Sequence, residues 1–213
     1  MKCVSRLHGI MNKEKVINFY DKMAEKYDVK IIEKKDSPLM IIVSWVFGFL
    51  RCFMNSVPNR REFMNDYSTT LRNRFYIRTY VGNETEISYR NYIYLLLHEF
   101  EHVLQFRESF TMPFKYVLSG KKRAMYEAKA CSTHLIYAWK YDYSCPTDDK
   151  QNIFLAWILR KGETWKDSYD CSYDDVEDAK RYLENIIVNL SHDEDKVNHE
   201  LVTFARTILE RKV

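Results

Sequence analysis

Apolar residues recur at intervals of three and four along most of this chain. Across residues 12–35, Val16, Ile17, Phe19, Tyr20, Met23 and Tyr27 stand among lysines and glutamates in that rhythm, which predicts an amphipathic helix. Ser37-Pro38 reads as a cap followed by a first-turn proline. It opens a second helix over 38–54 that stops before Asn55-Ser56-Val57-Pro58. The texture then changes. Residues 67–71 and 74–81 are rich in β-branched and aromatic side chains around Arg72-Asn73, which predicts a hairpin or short sheet ended by Gly82-Asn83. Helical spacing resumes with Ser88 as a cap and runs through His102 to about Arg107. Thr111-Met112-Pro113 opens a short helix to Leu118, and a long one covers 121–141. Cys145-Pro146-Thr147 breaks the pattern, and helices over 148–160, 174–190 and 194–211 follow. Asp174 and Asp175 suit a helix N-terminus electrostatically.

The predicted fold class is therefore mainly α with a small β-hairpin or sheet (α+β). No repeat or long linker divides the chain, so 1–213 is expected to be a single domain. Composition agrees: 213 residues, 46% hydrophobic and 30% charged, suit one globular core. Five glycines and four prolines favour long helices with short connections.

A net charge of +3, with no basic stripe interleaved with aromatics, argues against nucleic acid as a partner. Lys121-Lys122-Arg123 reads as a solvated helix start, with a cation beside a carboxylate site as the functional alternative. The five cysteines, Cys3, Cys52, Cys131, Cys145 and Cys171, are odd in number, widely spaced and without a CxxC pair. That argues against a thiolate zinc site or a disulfide framework and suits reduced thiols in a cytoplasmic protein. The N-terminus lacks the apolar stretch of a signal peptide. The most apolar run, 39–50 (LMIIVSWVFGFL), is ended by Arg51 and falls short of the roughly 20 residues of a membrane span. It predicts a buried core helix, with a helix on a membrane surface as the alternative.

Chemistry concentrates in residues 94–106, YLLLHEFEHVLQF. His98 and His102 lie one helical turn apart and so project from the same face. Two imidazoles there can reach one metal ion, and zinc accepts them in a tetrahedral shell. Glu99 points to a neighbouring part of that face, where a carboxylate can take the proton of a metal-bound water and pass it to a leaving group. Two histidines leave such a shell short of a ligand. Glu127 and His134 are the candidates, seven residues apart on one face of the helix over 121–141. Alanines at 124, 128 and 130 let that helix approach another closely. His134 is also a candidate contact to substrate or transition state, and Tyr126, Tyr137 and Arg123 are candidates to stabilise a developing oxyanion. Glu101, inside the motif, should turn away from the ion.

With these residues in view, the segment 37–142 resembles the predicted zinc metallopeptidases of the zincin type, of the gluzincin kind, found in bacteria and phages. The resemblance rests on the hairpin-like stretch 63–77, on His98-Glu99-Phe100-Glu101-His102 in its helix, and on Tyr126-Glu127-Ala128-Lys129-Ala130. It departs from the pattern at Glu101, where many relatives carry glycine. It implies one zinc ion held by His98, His102 and Glu127, with Glu99 as general base. It further implies a zincin-like core over 37–142 with the motif helix beside a short antiparallel sheet, leaving 143–213 as a C-terminal helical extension. An edge strand, taken as 74–81, would hold an extended peptide across the ion. The expected activity is hydrolysis of a peptide or amide bond in a peptide or protein substrate, in the host cytoplasm if the protein is phage-encoded. The alternative is an inactive zincin-fold binding or structural protein, with residues 39–50 on a membrane surface as a further possibility.

Overall fold

The computed structural model describes residues 12–52, 59–65, 68–77, 86–109, 111–141, 150–169 and 171–209. Expectations that fall on 55–58, 66–67, 78–85 and 142–149 lie outside them, as do Cys3 and Cys145. The fold is mainly helical with a three-stranded mixed sheet.

α1 (Lys13–Lys26) starts at Asn12, whose side chain accepts from the Lys15 backbone N–H, and buries Val16, Phe19, Tyr20 and Met23. It ends well before residue 35. Tyr27 caps it, and Asp28 takes a left-handed conformation (φ 45°). Residues Lys30–Glu33 then form strand β1 instead of the predicted last helical turns. A short 3-10 turn, Lys34–Asp36, leads into α2 (Pro38–Leu50), where Ser37 Oγ accepts from Met40 N as predicted. α3 is Arg60–Asn65.

β2 (Thr69–Leu71) and β3 (Arg74–Ile77) form the predicted antiparallel hairpin around Arg72 (φ 53°) and Asn73. β1 adds in parallel on the far side of β3, giving the order β1-β3-β2. β3 is therefore the central strand of the described sheet, hydrogen-bonded on both sides, so residues 74–77 of the expected edge strand are not an open edge. Within the described sheet the outer strand next to the motif helix is β2.

The sheet separates two apolar layers, and strand alternation assigns the side chains. Ile31, Phe75 and Ile77 face the main core with Phe100, Leu97 and Phe19, while Ile32 and Tyr76 face a small cluster with Met40 and Phe63. α2 lies on this second layer. Contrary to the expectation of a buried core helix, it commits only a narrow face to the protein: Leu39, Ile41, Ile42, Trp45, Val46 and Phe49 are exposed. Hydrophobic content showed that this helix wants to leave water, not what would cover it.

α4 (Glu86–Glu108) begins ahead of Ser88, so Ser88 is inside the helix and is not its cap. α5 (Met112–Leu118) and α6 (Gly120–Tyr141) follow. α7 (Lys150–Tyr169) runs further than predicted, α8 (Tyr173–His192) opens on a capping box between Ser172 and Asp175, and α9 (Glu200–Leu209) starts later than residue 194. Leu183 and Ile187 of α8 and Leu201 and Ala205 of α9 are buried in the same cluster as Phe100 of α4. The C-terminal helices thus share the core that carries the motif helix. No helix among the described residues is long and apolar enough to cross a membrane.

Candidate metal centre

α4 is anchored by Ile93, Leu96, Leu97, Phe100 and Val103, all buried. That fixes its rotation and leaves positions 98, 102 and 105 (i, i+4, i+7) as a stripe beside the apolar one. α6 answers with positions 127, 131 and 134 at the same spacing. His98 meets Cys131 and His134 while Gln105 reaches Tyr126, so the two helices run antiparallel. Ala124 and Ala128 are fully buried on α6, and their small side chains let the helices close in as the sequence suggested.

The two stripes bring His98, His102 and Glu127 together, and their donor atoms all lie within 4.8 Å of one another. His98 Nε2 is 3.2 Å from His102 Nε2. His98 Nε2 is 3.4 Å from Glu127 Oε2, and His102 Nε2 is 3.4 Å from Glu127 Oε1. The edge of a tetrahedron is about 1.63 times its centre-to-corner distance. Bonds of roughly 2.0–2.1 Å to nitrogen and oxygen therefore require ligand–ligand spacings of about 3.3–3.4 Å. The His98–His102 spacing is close to such an edge, and each imidazole lies 3.4 Å from a different oxygen of Glu127, so the group could hold a metal ion.

The neighbours fix how these ligands present themselves. The Tyr126 carbonyl can only accept, so the Gln105 amide turns its Nε2 to it (3.1 Å) and leaves Oε1 for His102 Nδ1 at 3.0 Å. Nδ1 of His102 is then the donor, and Nε2 keeps a lone pair for the ion. His98 Nδ1 faces Cys131 Sγ at 3.9 Å, which leaves its Nε2 on the ion's side too. Tyr116 of α5 donates its hydroxyl to Glu127 Oε1 at 2.6 Å.

Protonation follows from the same contacts. Burial opposes a charge on His98, but Cys131 and Glu127 outweigh it and lift the imidazole well above its usual range. At His102 burial is likewise overcome, chiefly by Glu127, and the ring is raised. Burial also opposes ionisation of Glu127, yet His102 and His98 hold the carboxyl well below the usual range. Glu127 is thus an anion facing two basic nitrogens that a cation, proton or metal, can bridge.

Glu99 is buried beside this group, and Thr70 of β2 donates its hydroxyl to Glu99 Oε2 at 2.6 Å. Lys34, at the start of the turn after β1, is fully buried with its Nζ donating to Phe63 O at 2.7 Å. Burial pushes Lys34 down to about 8, and the Glu99 charge pulls it partly back.

The remaining candidates separate. His134 lies next to the site, its ring stacked 6.3 Å from that of His98 and edge-on to Trp157 at 4.8 Å. Burial, with His98 and Lys161 adding to it, pushes this imidazole well below its usual range, so it is a neutral neighbour and not part of the ligand triangle. Tyr126 enters through its carbonyl, which holds Gln105. Arg123 donates to the Tyr116 carbonyl at 3.0 Å, bracing α5 under the site. Lys121 and Lys122 are exposed, as a solvated helix start should be. Glu101 does turn away, with its Oε2 3.2 Å from His199 Nε2. Thr70, Gln105, Cys131 and Tyr116 were not foreseen. Only Gln105 and Cys131 carried a signal, their helical register with the ligands.

Comparison with protein-family models gives no match, and searches of curated proteins and of solved structures give none either.

Proposed function

We propose that the protein is a zinc-dependent hydrolase of peptide or amide bonds, with His98, His102 and Glu127 as ligands of one ion and Glu99 as general base. The observation that carries this reading is the cluster of two imidazoles and a carboxylate close enough to share one ion, with a second buried, hydrogen-bonded carboxylate beside it. Two imidazoles and one carboxylate are the donor set of a catalytic zinc site, which keeps a fourth position open. Bound there, zinc would supply Lewis-acid polarisation of a carbonyl and a water of lowered pKa.

The chain's own residues supply the rest. Gln105 holds His102 in the tautomer that offers Nε2. Thr70 fixes the rotamer of Glu99, so that Oε1 stays available to take a proton and return it to the departing amine. The Tyr116 hydroxyl, bonded to Glu127 Oε1, is a candidate donor to a developing oxyanion. Among the described residues β2 is the outer strand beside Glu99, so an extended substrate would pair along β2 and not along β3.

The test is metal analysis with a peptide-library cleavage assay on wild type and Glu99→Gln. One zinc per chain in both proteins is expected, with hydrolysis by wild type and a loss of about 10²–10⁴-fold in the variant. A zinc-loaded wild type that cleaves nothing, or a fully active variant, overturns the assignment.

A further inference from the structure

The helix on the other layer of the sheet has a face that hydrolysis leaves unused. α2 exposes Leu39, Ile41, Ile42, Trp45, Val46 and Phe49, with Ile42 and Trp45 each 61% and Phe49 65% exposed. Positions 42, 45, 46 and 49 make one stripe at helical spacing. Its opposite face, Met40, Val43 and Phe47, is the one that packs on Phe63 and Tyr76. At these exposures the six side chains amount to on the order of 600 Å² of apolar surface, the upper end of what a monomer leaves uncovered.

The charges around the stripe are lopsided. From Pro38 to Pro58 the sequence holds one charged residue, Arg51. Arg60 and Arg61 open α3, both exposed, and the Arg60 guanidinium lies 3.9 Å from the Trp45 ring while its Nε donates to Ser44 Oγ. The one acid of α3, Glu62, is turned back on its own helix start, accepting from Asn59 N at 2.9 Å. At the other end Lys35 is paired with Glu33. The stripe itself bears no acid: Arg60 lies against it, Arg51 follows the end of α2 and Arg61 stands next to Arg60, while the nearest exposed acid, Asp36, precedes the cap at the opposite end of the helix.

We infer that α2 docks on an anionic lipid bilayer. It lies along the surface with Ile42, Trp45, Val46 and Phe49 among the upper acyl chains and Arg51, Arg60 and Arg61 on lipid phosphates. Thirteen residues make a rod of about 20 Å, too short for a hydrocarbon core of about 30 Å, so the helix rests on the bilayer and does not cross it. Tryptophan suits the headgroup boundary, and the guanidinium fork suits phosphate. A second copy of the chain fits less well, because a standard protein interface takes roughly 800 Å² from each partner. The inference rests on nothing in the hydrolase reading.

The test uses the full chain in co-sedimentation with vesicles of phosphatidylserine in phosphatidylcholine and with phosphatidylcholine alone. Wild type should pellet with the anionic vesicles and be released by salt. The triple change Ile42→Ser, Trp45→Ser, Phe49→Ser should abolish pelleting. The triple change Arg51→Glu, Arg60→Glu, Arg61→Glu should weaken it by about a hundredfold or more, at about 1 kcal/mol per cation lost. All substituted side chains are exposed, circular dichroism checks folding, and the arginine variant serves if the serine variant fails that check. His98→Ala should pellet like wild type, which separates this idea from the metal site. Wild type left in the supernatant, variants that pellet as well as wild type, or a dimer dissolved by the serine changes without vesicle binding each overturn it.

Discussion

Gln105→Leu removes the link between α6 and the metal face of α4 without touching a ligand. The amide joins the Tyr126 carbonyl at 3.1 Å to His102 Nδ1 at 3.0 Å, and Gln105 is itself buried. Leucine fills a similar volume but leaves His102 Nδ1 without its partner, while the Tyr126 carbonyl, inside α6, keeps its helical one. An unsatisfied buried group costs about 1–3 kcal/mol, so a stability loss of that size is expected, short of unfolding a domain of this size. The ion should feel the change separately. With Nδ1 unpinned, the His102 ring can rotate and its other tautomer becomes accessible. Loss of such a partner costs about 10–100-fold in metal affinity, or about 1.4–2.7 kcal/mol. Gln105→Glu restores the acceptor for Nδ1–H and should recover most of the affinity while remaining less stable, since it cannot donate to Tyr126. The assay is zinc competition against a chromogenic chelator, with urea unfolding of the metal-free proteins alongside. If Gln105→Leu binds zinc as tightly as wild type while His102→Ala does not bind, the amide does not set the ligand's tautomer and the orientation argued for His102 fails.

Thr70→Val deletes the 2.6 Å hydroxyl bond to Glu99. A hydrogen bond to a charged group is worth about 1.5–3 kcal/mol, so kcat should fall by about 10–150-fold with zinc affinity unchanged and Thr70→Ser near wild type. Equal kcat values for Val and wild type would remove Thr70 from the mechanism. Lys34 gives a pH signature. Its folded value of about 8 lies below the ordinary 10.5, so between the two the unfolded chain binds more protons and stability rises with pH. From about pH 7 to 9.5 this amounts to at most about 2 kcal/mol, less where solvent reaches the amine. Urea unfolding of Lys34→Met should lack that increment, and parallel pH profiles for the two proteins would contradict it.

The helices were legible because each buries one face, and Val16, Phe19 and Met23, or Ile93, Leu97 and Phe100, repeat at its period. The clustering of His98, His102 and Glu127 was legible for the same reason: 98 and 102 share a face, and small residues around Glu127 announce a close crossing. β1 was not, because Ile31 and Ile32 continue an apolar run and the break at Asp28 is made by an aspartate in a left-handed turn, without glycine or proline to mark it. The edge strand was misplaced because the parallel partner of β3 comes from residues 30–33, far upstream, and strand order is a tertiary fact. Thr70 and Tyr116 are ordinary letters until folding places one hydroxyl on Glu99 and the other on Glu127.

The five-residue motif divides its letters between two jobs. His98, Glu99 and His102 belong to the candidate metal centre, while Phe100 is fully buried against Tyr27, and Glu101 lies 3.2 Å from His199 just ahead of α9. Those two spacer positions fasten the middle of the chain to its two ends. A damaging substitution at either would look, in any activity screen, like lost chemistry, although every ligand atom is still encoded. Such variants should betray themselves by melting early, and a screen that scores the motif letter by letter would mistake a loosened joint for a broken tool.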